Sequence, residues 1–246
     1  MTVDGRFRVM VTDEVDPEGI ALLRASPRIE VVERPTLPPA QLLEEIGEYD
    51  ALIGRSATRI TGELLERGER LRVIGRAGVG VDNIDLERAT ELGIAVINAP
   101  GGNTVSVAEL VFGVLISLVR HLPEADASMR AGRWDRSKLG GTELRGRTLA
   151  IVGLGRIGSE VARRARAFGM TVIAYDPYVT PARFEELGTE RVSRLADALD
   201  QADVLTVHVP LTDETRGMIG APELARLGPR ALVLNLARGG IVVEDA

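Results

Sequence analysis

Residues Thr148-Leu149-Ala150-Ile151-Val152-Gly153-Leu154-Gly155-Arg156-Ile157-Gly158 place three glycines in G-x-G-x-x-G spacing between an apolar β-prone run and a helix-prone run. A second apolar run, Thr171-Val172-Ile173-Ala174-Tyr175, follows and ends on Asp176. This spacing constrains the fold to a strand, a tight turn, a helix and a second parallel strand. Gly153 permits the turn, Gly155 admits a pyrophosphate close to the backbone, and Gly158 lets helix and strand pack closely. The helix amino end, with Arg156 and Ile157 in its first turn, supplies free N–H groups and a positive dipole end for phosphate. Asp176, roughly 20 residues on, is placed to accept hydrogen bonds from the adenosine ribose and to repel a 2′-phosphate, so the expected cofactor is NAD rather than NADP.

The rest of the chain repeats the same alternation, which predicts an α/β fold with parallel sheets. Strands are expected near Arg8–Thr12, Ile29–Glu33, Ala51–Gly54, Arg72–Arg76 and Ala95–Asn98, then at Thr148–Val152, Thr171–Tyr175, Val204–His208 and Leu232–Leu236. A short extended piece is expected near Glu190–Ser193. Helices are expected at Pro17–Ala25, Pro39–Glu48, Gly62–Gly68 and Leu86–Leu92, from about Val105 to Arg120, and at Ile157–Phe168, Arg194–Gln201 and Pro222–Leu227. The turn-rich Ala99-Pro100-Gly101-Gly102-Asn103 reads as a hinge between a lobe of residues 1–99 and a dinucleotide lobe of residues 100–246; one continuous sheet is the alternative. Ser106 and Glu109 fit a capping box for the helix after the hinge. Asn103 serves either a ligand or that helix's start. The apolar stripe Leu110, Val114 and Leu118 reads as core or subunit seam, and Trp134 as a packing anchor.

Composition narrows the function classes. In 246 residues, 45% are hydrophobic and 27% charged, with a formal net charge of −6, which fits a globular protein and argues against nucleic acid as partner. No cysteine is present, which excludes disulfides, thiol nucleophiles and thiolate-bound metals. Two histidines, His121 and His208, stand far apart, so no metal site is expected, and His121 reads as a solvated surface residue. The amino terminus has no signal-like apolar core and the apolar stretch Leu110–Val119 is too short for a membrane span, so the expectation is a cytosolic protein.

Three further segments carry chemistry. Val207-His208-Val209-Pro210-Leu211-Thr212 closes one strand, and Val233-Leu234-Asn235-Leu236-Ala237-Arg238-Gly239-Gly240 closes the next, at the carboxyl edge where open α/β sheets bind ligands. Gly78-Val79-Gly80-Val81-Asp82-Asn83 offers backbone amides to an anion.

With Gly54-Arg55-Ser56-Ala57-Thr58, Gly75-Arg76-Ala77, Gly132-Arg133-Trp134-Asp135-Arg136 and Tyr175-Asp176-Pro177-Tyr178, these segments resemble the D-isomer-specific 2-hydroxyacid dehydrogenases over nearly the whole chain. The resemblance implies a flavodoxin-like substrate lobe and a Rossmann doubly wound NAD lobe. It is nearest to members that oxidise 3-phosphoglycerate to 3-phosphohydroxypyruvate, the step that opens the phosphorylated route to serine. It assigns the pyrophosphate to Gly153, Gly155, Arg156, Ile157 and Gly158, and the ribose to Asp176. His208, Pro210 and Thr215 line the cofactor cleft, and Ala237 and Arg238 sit by the nicotinamide. Val79, Gly80 and Asn103 hold the substrate carboxylate, Arg238 clamps carboxylate and reacting oxygen, and Arg55, Ser56 and Arg76 face the substrate. Arg136, from a neighbouring subunit, lies near the phosphate, so a homodimer or homotetramer built through the NAD lobe is expected. Guanidinium forks suit carboxylate and phosphate oxygens and stay charged at every working pH.

The family's acid/base His and its orienting Glu lie beyond the Arg-Gly-Gly segment, and neither occurs before Ala246. The last strands of the NAD sheet are expected to be missing as well, and Val243 replaces an acidic residue. A truncated chain that binds NAD but turns over slowly is therefore expected, with Leu232–Leu236 as an apolar sheet edge prone to association. Other readings are a glyoxylate or hydroxypyruvate reductase of the same family, and a non-catalytic NAD-sensing corepressor-like protein.

Overall fold

The computed structural model describes residues 5–35 and 37–246. It divides into two compact units, Met1–Asn103 and Thr104–Ala246.

The first unit contains the strands β1 (Phe7–Val11), β2 (Ile29–Glu33), β3 (Ala51–Gly54), β4 (Val73–Arg76) and β5 (Ala95–Asn98), with α1 (Pro17–Arg24), α2 (Pro39–Glu45), α3 (Gly62–Arg67) and α4 (Leu86–Glu91) between them. All pair in parallel in the order β2-β1-β3-β4-β5. This is the flavodoxin-like order, whose direction reverses between β1 and β3. Met10, Leu52 and Ile74 from three adjacent strands pack with Leu42, Leu64, Leu65 and Ala89 from the helices on one face. Caps explain where the helices start: Asp16 accepts from the Glu18 amide, Thr61 from Leu64 and Asp85 from Arg88, each satisfying an amide left without an intrahelical partner.

The second unit begins with α5 (Thr104–Val119) and α6 (Leu122–Arg130). Then come β6 (Thr148–Val152), α7 (Arg156–Ala167), β7 (Thr171–Tyr175), α8 (Pro181–Leu187), β8 (Glu190–Arg191), α9 (Leu195–Leu199), β9 (Val204–Val207), α10 (Ala221–Leu224) and β10 (Leu232–Asn235). The parallel order is β10-β9-β6-β7-β8, reversing between β6 and β9. β6 and β9 are buried on both faces, as the strands of a covered parallel sheet must be. Leu149 and Ile151 of β6 join Val111, Leu115, Val161 and Phe184 on one face, while Ala150 and Val152 join Ala198, Leu199 and Leu205 on the other.

Several expectations are corrected. α5 starts at Thr104, so Ser106 lies inside the helix and cannot be its cap. The buried face of α5 is Ala108, Val111, Phe112, Leu115 and Val119, at i, i+3, i+4, i+7 and i+11; Leu110 and Leu118 are exposed instead. Trp134 is 77% exposed in an irregular segment and so is not a packing anchor. His121 is half-buried and left-handed (φ 53°), the break that separates α5 from α6. Among the described residues, no single helix is long and apolar enough to cross a membrane.

Candidate functional site

In the second unit, the glycine loop leaves β6 beside the point where the strand order reverses. Gly153 adopts φ +94°, a conformation side chains rarely take, and a Cβ there would meet the His208 carbonyl group at 2.9 Å. At Gly158 a Cβ would stand 2.1 Å from the Gly153 carbonyl oxygen, so the close approach of α7 to the loop depends on hydrogen at that position. Gly155 differs: a Cβ there would meet nothing within 4 Å. The two buried glycines make the turn, and the exposed one leaves open space at the amino end of α7. There the first-turn amides of Arg156, Ile157 and Gly158 have no carbonyl one turn earlier in the helix. That cradle, with the helix dipole behind it, fits a diphosphate.

Asp176 secures the cradle. Its Oδ2 accepts from the Leu154 amide at 2.8 Å and its Oδ1 from the Tyr178 amide at 2.9 Å. A carboxylate has acceptor capacity beyond two such bonds, so it can still receive ribose hydroxyls. The Tyr178 hydroxyl donates to Glu214 Oε2 at 2.9 Å; that bond raises the phenol above its ordinary pKa.

Across the reversal point, the His208 amide donates to the Val152 carbonyl at 2.7 Å, fixing the end of β9 against the end of β6. Its Nε2 lies 3.0 Å from Thr206 Oγ1, while its Nδ1 is buried with no hydrogen-bond partner. Burial lowers the imidazole to about 4, so the ring is neutral near pH 7 and unsuited to accept a proton there. The following loop is tied by Thr215: Oγ1 donates to the Pro210 carbonyl at 2.6 Å and accepts from the Thr212 amide at 2.8 Å. Past β10, both ends of the Asn235 amide grip the turn that carries Arg238. Nδ2 donates to the Arg238 carbonyl at 2.8 Å, and Oδ1 accepts from the Ala237 amide at 3.2 Å. Arg238 Nη1 donates to the Ala237 carbonyl at 2.8 Å. Gly153, Gly155, Arg156, Ile157, Gly158, Asp176, His208, Pro210, Thr215, Ala237 and Arg238 therefore all lie at or just beyond the carboxyl edge of one sheet. Arg136 is exposed on a one-turn 3-10 helix, Arg136–Lys138, which precedes β6 and is not part of that edge.

The first unit gathers its candidates in the same way. Arg55 and Ser56 follow β3, Arg76 ends β4, and Val79 and Gly80 follow it. Asp13, buried after β1, accepts through Oδ2 from the Arg55 amide, in a short contact, and from the Thr58 amide at 3.3 Å; its Oδ1 accepts from the Thr58 hydroxyl at 2.8 Å. Asn83 holds the same loop by its carbonyls: Nδ2 donates to Arg55 O at 2.8 Å and to Thr58 O at 2.6 Å, while Oδ1 accepts from Arg76 Nε at 3.4 Å. Asn98 Nδ2 donates to the Val79 carbonyl at 2.7 Å and the Ala99 amide to the Gly78 carbonyl at 2.9 Å, which occupies two oxygens that would otherwise repel an anion. Asn103 is the last residue before α5 and is exposed.

The sequence reading missed Asp13, Asn83 and Asn235 as residues with a task. Asp13 was detectable as the first charged residue past β1 only once the strand order placed β1 beside β3. Asn83 closes the motif of residues 78–83, whose pattern points only to backbone amides and carries no signal for its side chain.

A family model for the D-isomer specific 2-hydroxyacid dehydrogenase, NAD binding domain, matches residues 112–246. D-3-phosphoglycerate dehydrogenase from Methanocaldococcus jannaschii is 45% identical over 239 residues, covering 97% of this chain and 45% of the relative. The enzyme of the same name from Bacillus subtilis is 46% identical over 240 residues, covering 98% and 45%. The chain thus spans less than half the length of these two curated relatives. The crystal structure of the TT0316 protein from Thermus thermophilus superposes with a TM-score of 0.87 at 37% identity, covering 97% of this chain and 76% of that one. A matched family model over more than half the chain joins the glycine cradle and its aspartate: the chain belongs to the D-isomer specific 2-hydroxyacid dehydrogenase family, and its cofactor is NAD.

Proposed function

We propose that this chain serves the NAD-dependent oxidation of 3-phosphoglycerate to 3-phosphohydroxypyruvate, with the second unit holding the cofactor and the first holding the substrate. The observation that carries the reading is the open Gly155 cradle at the amino end of α7, with Asp176 at its side. NAD, when bound, supplies the hydride acceptor for the carbinol carbon. The chain's residues position the groups around it. The first-turn amides of α7 bind diphosphate and Asp176 binds the ribose. Arg238 holds the substrate carboxylate and reacting oxygen. Arg55, Ser56 and Arg76 bind the remaining anionic end, with Val79, Gly80 and Asn103 on the carboxylate. Neutral His208 shapes the cleft and takes no proton. Arg55 and Arg238 sit on loops clamped by Asp13, Asn83 and Asn235, and Arg76, at the end of β4, donates to Asn83, which prepays the ordering that a carboxylate or phosphate would otherwise impose. Arg136, contributed by a neighbouring subunit, lies near the phosphate in this reading, which therefore includes a homodimer or homotetramer.

Two measurements test this. Isothermal titration should show NAD binding and, with NADH present, tighter binding of 3-phosphohydroxypyruvate than of hydroxypyruvate. Absence of NAD binding overturns the cofactor site. Equal affinity for the two acids overturns the phosphate assignment and favours a reductase of unphosphorylated acids.

A further inference from the structure

At the carboxyl edge of the NAD sheet, one contact joins loops that the topology keeps apart. β7 and β9 lie on opposite sides of β6, and the glycine loop rises from β6 between them. Tyr178, three residues past β7, reaches over to Glu214, in the loop past β9. Both anchors are fixed: the Tyr178 amide is held by Asp176, the carboxylate that also holds Leu154, and Glu214 precedes Thr215, whose hydroxyl ties its loop to Pro210 and Thr212. Yet Tyr178 is 82% exposed, so core packing does not account for its position. An exposed aromatic ring pinned at both ends, beside the carboxylate that recognises a ribose, is a preordered flat surface at the adenosine end of the cleft.

We propose that Tyr178 and Glu214 form a clasp across the adenosine end of the cofactor cleft, with the tyrosine ring as a stacking face for adenine and Glu214 as the anchor that holds the ring in place. This rests on the NAD site described above. A base stacks on any aromatic face, and the gain is larger when the ring's motion is already restricted. The clasp therefore strengthens the adenosine half of NAD and leaves the nicotinamide half alone.

The test is a binding series on the whole chain with three probes: NAD, ADP-ribose and nicotinamide mononucleotide. Tyr178→Phe and Glu214→Ala should each weaken NAD and ADP-ribose about three- to tenfold, the range of one hydrogen bond, and leave the mononucleotide unchanged. The double variant should be no weaker than the worse single one, since both remove the same bond. Tyr178→Ser should weaken the two adenosine-bearing ligands further. Unchanged affinity for ADP-ribose in Tyr178→Phe and Glu214→Ala, additive losses in the double variant, or equal losses for the mononucleotide overturns the clasp. If Asp176→Asn and Gly155→Ala also leave NAD affinity unchanged, the underlying cofactor site falls as well, which separates the two failures.

Discussion

The three glycines of one loop are held for different reasons, so the same substitution should give opposite signatures. Gly155→Ala adds a methyl where the structure has open space, so the fold should keep its melting temperature. A ligand phosphate would be pushed off the α7 amides; losing even one charge-assisted hydrogen bond is worth about 1.5–3 kcal/mol, so the NAD Kd should rise roughly tenfold or more. Gly158→Ala places its methyl 2.1 Å from a backbone oxygen, and overpacking of that kind costs about 1–3 kcal/mol, visible as a lower Tm before any ligand is added. Two matched melting and titration series decide between these outcomes, and a stable, tight-binding Gly155→Ala protein would contradict the cradle. His208 offers a second residue-scale test. Its native imidazole titrates at about 4, against 6.5 for the ordinary group, through burial. The unfolded chain therefore binds a proton that the native state refuses as pH falls below about 6.5. Stability is full above that value, is lost progressively down to about 4, and is flat below. The loss is on the order of 3 kcal/mol. His208→Asn should remove that part of the acid limb, seen as a smaller drop in urea midpoint between pH 7 and pH 4 for the variant than for the parent; identical acid limbs would show that His208 is not the group responsible.

At the scale of elements, the strands were readable because covered parallel strands are continuous apolar runs bounded by turns. β2, β3, β5, β6 and β7 begin and end where the pattern places them, while β1 starts one residue early and β4 one residue late. α8 was missed although its signals are present: Pro181 at the first helical position and Gly188 beyond its end at φ 57°. The glycine loop and Asp176 were legible because local spacing encodes them. The clamps were not: Asp13 meets Arg55 and Tyr178 meets Glu214 across 42 and 36 residues, and only the strand order makes such pairs neighbours. The α5 stripe divides for a related reason: Val114 packs against the core, and the exposure of Leu110 and Leu118 leaves them only the subunit-seam reading. A helix apolar nearly all round gives a weak period, and Leu110 and Leu118, at 55% and 49% exposed, lie off the buried face. Val105 is exposed on the same helix, so α5 carries three exposed large apolar residues. β10 is the outer strand of its sheet, but Leu232 and Leu236 pack against one core cluster and Val233 against the other, so its side chains offer less to an association than the open face of α5. The expected result is a dimer by sedimentation velocity that Leu110→Glu with Leu118→Glu converts to monomer. A dimer that survives both changes but yields to charges on β10 would move the seam to the sheet edge.

For the molecule as a whole, the relevant fact is that the cores are separate. The cluster around Met10, Leu52 and Ile74 shares no residue with the two clusters that sandwich β6 and β9, and each unit closes its own five-stranded sheet. The residues assigned to NAD lie wholly in the second unit, so cofactor binding adds its linkage energy to that unit alone: about 2.7 kcal/mol at a ligand concentration one hundred times Kd. That quantity slows exchange only for amides whose opening releases the ligand. Hydrogen exchange with saturating NAD should therefore show strong added protection in β6, β7, β9 and the first turn of α7, and little in β1, β3 and β4. Glu214→Ala and Tyr178→Phe, by weakening adenosine binding, should reduce that gain across the whole second sheet, because its strands open as one unit once the ligand leaves. Equal protection of both sheets would show instead that the two units unfold as one cooperative body, and that cofactor bound at one sheet's edge stabilises the other through it.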